Sequence, residues 1–144
     1  MTPTAVVRPE PYWLIAAALV IGDQLTKLVV RQVDQPIALP GISIKPVLNP
    51  QGVLGLSVNN NVLIVAGVCI IIGLLLLLAH GIERRPIRLG LWLIIGGAFS
   101  NVVDRLVYGG AVDVISILDL SRFNLADVMI VLGAVSVLRG LWSK

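Results

Sequence analysis

Long apolar segments dominate the chain, and four of them are long enough to cross a membrane. A membrane-spanning helix needs about 20 mostly apolar residues. The pattern predicts such helices over residues 12–33, 62–79, 89–108 and 125–142. The second segment carries no charge, whereas each of the others contains ionisable side chains. We therefore expect one membrane-embedded domain, spanning residues 1–144, with four transmembrane helices.

The first apolar segment also resembles the core of a secretory signal peptide. Its small residues, Ala16, Ala17 and Ala18, fall inside the apolar run rather than after it, where a cleavage site would lie. This position favours a helix that is retained in the protein.

Residues 35–61, between the first two predicted helices, have a different pattern. Prolines and glycines recur along them, and Ile42-Ser43-Ile44-Lys45 alternates apolar and polar residues as a short strand does. The segment is too long for a tight turn and too rich in proline for a helix. It predicts a small β-rich element on the membrane surface.

Composition narrows the class of protein. Hydrophobic residues make up 57% of the chain and charged residues 13%, whereas soluble domains have about 25% charged residues. An ordinary soluble globule and a disordered chain are both excluded. A single cysteine, Cys69, excludes an internal disulfide, and with one histidine, His80, the common Cys and His metal sites are excluded as well.

The charges predict an orientation for the helices. With four spans, both termini and the connection between helices two and three share one side. That side has six Lys and Arg residues and two Glu, which gives a net charge of +4. The rest of the chain has five Lys and Arg residues and six Asp, which gives a net charge of −1. Short loops rich in Lys and Arg remain in the cytoplasm. We therefore expect both termini to be cytoplasmic.

In this topology the polar residues of the spans gather at the opposite, extracytoplasmic end of the bundle. Ionisable groups at membrane depth are costly and usually face the bundle interior, so they are functional candidates. The candidate residues are Asp23, Lys27, Asn49, Asn101, Asp104, Arg105, Asp113, Asn124 and Asp127. Helical spacing places Asp23 with Lys27, and Asn101 with Asp104 and Arg105, on shared helix faces. The small residues Gly96-Gly97-Ala98 allow a neighbouring helix to approach closely.

Structural roles compete with functional ones at several of these positions. Asn124 and Asp127 also fit a helix N-cap with an acidic residue in the first turn. Asp23 and Lys27 also fit a purely structural ion pair, and Arg105 fits a residue that extends to the membrane interface. Asp104, near a helix C-terminus, opposes the helix dipole and therefore requires a cationic partner, for which Arg105 or Lys27 is available.

The residue types limit the possible chemistry. His80 lies at the wrong end of the bundle for a Ser-His-Asp triad, and Cys69 has no neighbouring base. A Ser-Lys dyad of Ser100 and Lys27 is conceivable. Asp113, predicted in the loop after the third helix, and Asp127, at the start of the fourth, are the natural pair. Two carboxylates brought close share one proton, so that one activates water while the other acts as an acid.

Four motifs in this order resemble those of lipoprotein signal peptidase, or signal peptidase II, across nearly the whole chain. The motifs are Asp23-Gln24-Leu25-Thr26-Lys27, Gly97-Ala98-Phe99-Ser100-Asn101-Val102-Val103-Asp104-Arg105, Val112-Asp113-Val114-Ile115 and Phe123-Asn124-Leu125-Ala126-Asp127.

The resemblance implies an aspartic endopeptidase of the bacterial inner membrane, with no metal or other cofactor. Such enzymes cleave signal peptides from prolipoproteins on the amino side of a diacylglyceryl-modified cysteine, and globomycin-type antibiotics inhibit them. The family's catalytic aspartates correspond to Asp113 and Asp127. Its positions for site architecture or substrate binding correspond to Asp23, Lys27, Asn101, Arg105 and Asn124, and its extracytoplasmic β-rich cradle to residues 35–61.

The sequence departs from the family pattern in three places. In Asn49-Pro50-Gln51-Gly52 the glycine is displaced by one position and the usual aromatic is lost, which weakens Asn49 as a substrate contact. Ser100 replaces a common glycine and Val114 a common phenylalanine.

Two alternatives to the protease are open. One is a small ion or proton transporter, which needs polar groups near the middle of the bilayer. The other is a catalytically inactive membrane chaperone of the same fold.

Overall fold

The computed structural model describes residues 11–50, 58–118 and 120–143, and these ranges contain four helices and four strands. In chain order the elements are α1 (Tyr12–Val30), β1 (Ile37–Leu39), β2 (Ile42–Asn49), α2 (Asn60–Ala79), α3 (Arg85–Tyr108), β3 (Ala111–Ile117), β4 (Ser121–Phe123) and α4 (Leu125–Trp142). All four helices are long and apolar enough to span a membrane. The predicted fold class, a four-helix membrane protein with a small β-rich region, is confirmed.

Local capping explains where the helices begin and end. Helix α3 begins four residues before the predicted span because Pro86 occupies its first turn, where a missing backbone N–H has no cost. It ends at Gly109, whose φ of 78° is the left-handed conformation that glycine adopts readily. Helix α2 begins after Asn59, whose side chain accepts a hydrogen bond from the backbone N–H of Asn61.

The sheet is antiparallel with strand order β1-β2-β3-β4. The strand expected at residues 42–45 is present within the longer β2. Strands β3 and β4 follow α3 and were not expected, and the placement of Asp113 in a loop was wrong, because Asp113 lies in β3 opposite Val47 of β2. Strand β3 is almost wholly buried and lacks the alternation of a half-exposed strand, so its own sequence does not reveal its pairing.

Some predicted features fall outside the described residues. These are Gly52 in the motif that follows Asn49, and four residues counted in the charge asymmetry: Arg8, Glu10 and Lys144 on the side of the termini, and Asp119 on the opposite side.

Helix α3 is the central element of the bundle and packs against the other three helices. Its contact with α4 is the closest, because a Cβ atom at Gly97 would overlap the backbone carbonyl of Ala126, and one at Gly90 would overlap that of Gly133. The close approach expected at Gly97 is therefore confirmed. It holds the first turn of α4 directly against α3, and the polar residues of both helices meet at this point.

Candidate active site

One end of the bundle contains a buried polar core. Among the described residues, the buried polar or charged side chains are Asp23, Lys27, Ser100, Asp104, Asp113, Ser116 and Asn124. Polar groups in such a setting are costly unless each has a hydrogen-bonding or ionic partner. Each of these groups therefore needs a partner close by.

Lys27 lies at the centre of a buried ion cluster. Its ammonium is 2.5 Å from Asp23 Oδ2 and donates to Asp104 Oδ2 at 2.6 Å. All three side chains are at most 2% exposed. Lys27, and not Arg105, is therefore the cation that compensates Asp104 near the end of α3. The cluster joins α1 to α3.

Each carboxylate of the cluster also holds a backbone N–H next to one of the two candidate catalytic aspartates. Asp104 Oδ2 accepts from the N–H of Val112 at 3.0 Å, and Asp23 Oδ1 accepts from the N–H of Ala126 at 3.1 Å. Val112 precedes Asp113 and Ala126 precedes Asp127. The ion cluster thus anchors strand β3 and the start of α4 at the same time.

Asp127 lies in the first turn of α4, in a capping box with Asn124. The Asn124 side chain accepts from the N–H of Asp127 at 2.9 Å, and Asp127 Oδ2 accepts from the N–H of Asn124 at 3.1 Å. The other oxygen, Oδ1, accepts from Asn101 Nδ2 at 2.9 Å. The structural cap that the sequence allowed is therefore present, and it fixes the carboxylate of Asp127.

Asn124 has a second role besides capping. Its amide nitrogen donates to Asn101 Oδ1 at 3.0 Å and to the carbonyl oxygen of Val112 at 3.2 Å. Both backbone polar groups of Val112 are consequently held, its carbonyl by Asn124 and its N–H by Asp104. This arrangement places the next residue, Asp113, beside Asp127.

Asp113 is the other carboxyl group of the candidate pair and is 3% exposed. Burial, and after it the nearby charge of Asp127, raise the pKa of Asp113 to about 6. A hydrogen bond from Asn49 Nδ2 to Asp113 Oδ2, 3.2 Å long, opposes this shift, as do the charges of Lys27 and Arg105. The contact with Asn49 exists although the residues that follow Asn49 depart from the family pattern.

Arg105 connects α3 to the first turn of α2. Its guanidinium Nη1 donates to Asn60 Oδ1 at 3.1 Å, and Asn60 Nδ2 donates back to the carbonyl oxygen of Arg105 at 3.3 Å. The Arg105 side chain is half-buried, and its charge acts on Asp113. These contacts favour a place in the site over a residue that only extends to the membrane interface.

Three residues of this network were not among the predicted site residues: Gln24, Asn60 and Ser100. Ser100 was considered only as part of a Ser-Lys dyad. Gln24 Nε2 donates to Ser100 Oγ at 2.8 Å and to Asp104 Oδ1 at 2.9 Å. The available signal was that Gln24 is a polar residue inside a span and that Ser100 lies four residues before Asp104, on the same helix face.

The hydrogen-bond directions argue against a Ser-Lys dyad. Ser100 Oγ donates to Asp23 Oδ2 at 2.7 Å, while the ammonium of Lys27 is engaged with two carboxylates. Ser100 is also fully buried, at 0% exposure, so its oxygen is not presented to a substrate. The arrangement that remains is a carboxyl pair at the end of a buried ion network. Within the described ranges, no group of three or more His, Cys, Asp or Glu residues is placed to hold a metal ion.

Comparison with known proteins gives a consistent result. A family model described as signal peptidase (SPase) II matches residues 15–142. The chain is 35% identical over 133 residues to the lipoprotein signal peptidase of Moorella thermoacetica, covering 87% of this chain and 88% of that protein. It is also 35% identical over 129 residues to that of Pelotomaculum thermopropionicum, covering 85% of each.

The fold is likewise similar to that of solved structures. A bacterial membrane enzyme determined by the in meso method superposes with a TM-score of 0.81 at 25% identity, covering 91% of this chain and 87% of that one. A second bacterial membrane enzyme gives a TM-score of 0.80 at 23% identity and shows likeness of fold alone.

Proposed function

The chain belongs to the signal peptidase II family, and from this premise we infer that Asp113 and Asp127 are the catalytic pair of a protease that removes signal peptides from prolipoproteins. One observation carries the assignment. Asp113 is buried and lies close enough to Asp127 for the two charges to interact. The backbone N–H groups of Val112 and Ala126, the residues that precede the pair, are both held by a single ion cluster.

The pair supplies both halves of acid–base hydrolysis. In the active form the two carboxyl groups share one proton, because two adjacent carboxylates do not both ionise easily. Asp127, whose two oxygens already accept hydrogen bonds, takes a proton from water as the water oxygen attacks the scissile carbonyl carbon. Asp113, whose pKa is raised to about 6, carries the shared proton and passes it to the nitrogen of the scissile peptide bond. The C–N bond then breaks and the amine leaves with that proton, while the proton taken up by Asp127 restores the singly protonated pair.

The remaining candidates fall into two groups by position. Asn49 and Arg105 are partly exposed and lie beside the pair, so we assign them to substrate contact. The others have their polar atoms engaged within the network, so we assign them to the architecture of the site: Asp23, Lys27, Asn101, Asp104 and Asn124. The substrate, as in the family, is a prolipoprotein cleaved on the amino side of its diacylglyceryl-modified cysteine.

The direct test is cleavage of a lipid-modified prolipoprotein by the purified protein in detergent. We expect one cut before the modified cysteine, no cut in the unmodified precursor, and inhibition by globomycin. Inhibition is expected because this antibiotic occupies the catalytic pair in the family. A protein that binds the precursor and releases it uncut would support the inactive chaperone instead. The transporter is disfavoured, because the buried charged residues meet at one end of the bundle and α2 carries no charge.

We further propose that both termini are cytoplasmic and that the active site opens toward the extracytoplasmic side of a bacterial inner membrane. The charge asymmetry of +4 against −1 supports this orientation. Reporters fused after Lys144 or near Glu83 should therefore indicate the cytoplasm, and reporters near Gln35 or Asp119 the opposite side. An external signal from the Lys144 fusion would invert the topology and contradict the proposed side of cleavage.

Arg105→Lys should reduce turnover more than it reduces stability. Lysine keeps the positive charge but loses the planar fork of donors that contacts Asn60 and faces the substrate side of the pair. We expect a raised KM and a lower kcat/KM, with a thermal unfolding temperature close to that of the wild type. Arg122→Lys, in strand β4, is the matched control and should keep normal kinetics. Normal kinetics in Arg105→Lys would remove Arg105 from the site.

A further inference from the structure

Five polar side chains of α1 and α3 form a closed ring. Lys27 bridges Asp23 and Asp104 on one side of it. On the other side Ser100 Oγ donates to Asp23 Oδ2 at 2.7 Å, and Gln24 Nε2 donates to Ser100 Oγ at 2.8 Å and to Asp104 Oδ1 at 2.9 Å. The ring therefore links the two carboxylates twice, once through an ammonium and once through an amide and a hydroxyl.

The second link helps to compensate the charge of the ring. Two carboxylates face one ammonium, and the ring is almost wholly buried, with Ser100 and Asp104 at 0% exposure. An ionised group in such a site is costly unless hydrogen-bond donors surround it. Gln24 and Ser100 supply side-chain donors that Lys27 alone does not provide. The hydroxyl of Ser100 is suited to this place because it donates and accepts at once.

The ring also determines where the catalytic pair lies. Asp104 holds the N–H that precedes Asp113, and Asp23 holds the N–H that precedes Asp127. A change in the distance between these two ring carboxylates is therefore passed on to the two catalytic carboxyl groups, with only one peptide unit between them on each side.

We propose that Gln24 and Ser100 are positioning residues that set the separation of Asp113 and Asp127 through the ring. The inference rests on the proposed catalytic pair.

Ser100→Ala is the first test, because it removes the hydroxyl and adds no volume. We expect kcat to fall roughly fivefold, which is the rate equivalent of about 1 kcal/mol, the net contribution of one hydrogen bond. KM should stay constant, because Asn49 and Arg105, assigned to substrate contact, are not bonded to the ring. Ser136→Ala is the matched control: its hydroxyl donates to the carbonyl of Pro86 at 2.7 Å, outside the ring, and its removal should leave kcat unchanged.

A pH profile separates positioning from simple stabilisation. The groups that face Asp113 are Asp127 on α4, Lys27 on α1, Arg105 on α3 and Asn49 on β2, and none of them is altered in Ser100→Ala. Burial and Asp127 hold the pKa of Asp113 above its usual range, so a looser pair lowers this pKa. The shared proton is then lost at lower pH. The alkaline limb of kcat/KM should therefore move to lower pH, whereas a loss of stability alone would leave it in place.

Gln24→Leu provides a second, independent variant, because Gln24 is only partly buried. It should lower kcat and move the same limb of the profile. The double variant with Ser100→Ala should have a kcat only slightly below that of Gln24→Leu alone, since the ring is already open.

The inference is overturned by normal kcat and an unshifted profile in Ser100→Ala. It is equally overturned if both variants fail to fold, or if kcat falls only as far as the fraction of folded protein, because the role is then purely structural. These outcomes do not affect the assignment of Asp113 and Asp127 as the catalytic pair. That assignment would fail if Asp113→Asn or Asp127→Asn, with the ring unaltered, kept its activity.

Discussion

Replacing either Asp113 or Asp127, the proposed catalytic pair, with asparagine should abolish nearly all cleavage, while the protein still inserts and folds. Asparagine is nearly isosteric with aspartate but neither accepts a proton from water nor carries the shared proton of the pair. General acid–base catalysis contributes roughly 10²–10⁴-fold to rate, so Asp113→Asn and Asp127→Asn should each lose at least about a hundredfold. The measurement is the rate of prolipoprotein cleavage by purified variants, with the unfolding temperature as the check on folding.

The pair acts as a unit, so the double variant should be hardly slower than either single variant. Asp34→Asn is the matched control, because Asp34 is exposed in the turn after α1 and should keep full activity. Chelators should leave the rate unchanged, since one histidine and one cysteine offer few ligands for a catalytic metal. If either single variant kept more than about a tenth of the wild-type rate, well above what that acid–base range permits, the aspartic mechanism would be wrong.

Lys27→Met should destabilise the protein strongly and inactivate it. Methionine fills a similar volume but leaves Asp23 and Asp104 as two buried carboxylates without their cation. Removing one partner from a buried ion pair costs about 3–5 kcal/mol. We expect a large fall in the unfolding temperature in detergent. Any folded fraction should cleave slowly, because both anchors of the catalytic pair are loosened.

Two comparisons make this prediction specific. Lys45→Met removes a lysine of strand β2 that takes no part in the cluster, and it should unfold close to the wild type. Combining Lys27→Met with Asp23→Asn and Asp104→Asn removes the uncompensated charges and should recover much of the lost stability. It should not restore activity to the same extent, since the amides do not hold the Val112 and Ala126 N–H groups as carboxylates do. A Lys27→Met variant as stable as Lys45→Met would show that the cluster is not a structural centre.

Helices and catalytic candidates were predictable from the sequence because their signals are local. A run of apolar residues long enough to cross a bilayer identifies a span without knowledge of its neighbours. An aspartate in or beside such a run is conspicuous for the same reason, so Asp113 and Asp127 could be identified from the sequence as candidate site residues. The short strand at residues 42–45 showed the alternation of a half-exposed strand and was also found.

The tertiary structure decided what depends on partners distant in the chain. Strand β3 exists because β2, more than sixty residues earlier, pairs with it, and Asp113 lies opposite Val47 for that reason. The sequence offered two cations for Asp104, and only the packing of α1 on α3 selects Lys27. Gln24 and Ser100 are unremarkable as single residues and become a link only when the two helices bring them within 2.8 Å. Composition and local pattern determine which segments enter the membrane. The partner of each buried polar group is determined by the fold, because its desolvation cost is offset only where a matching donor or acceptor is placed beside it.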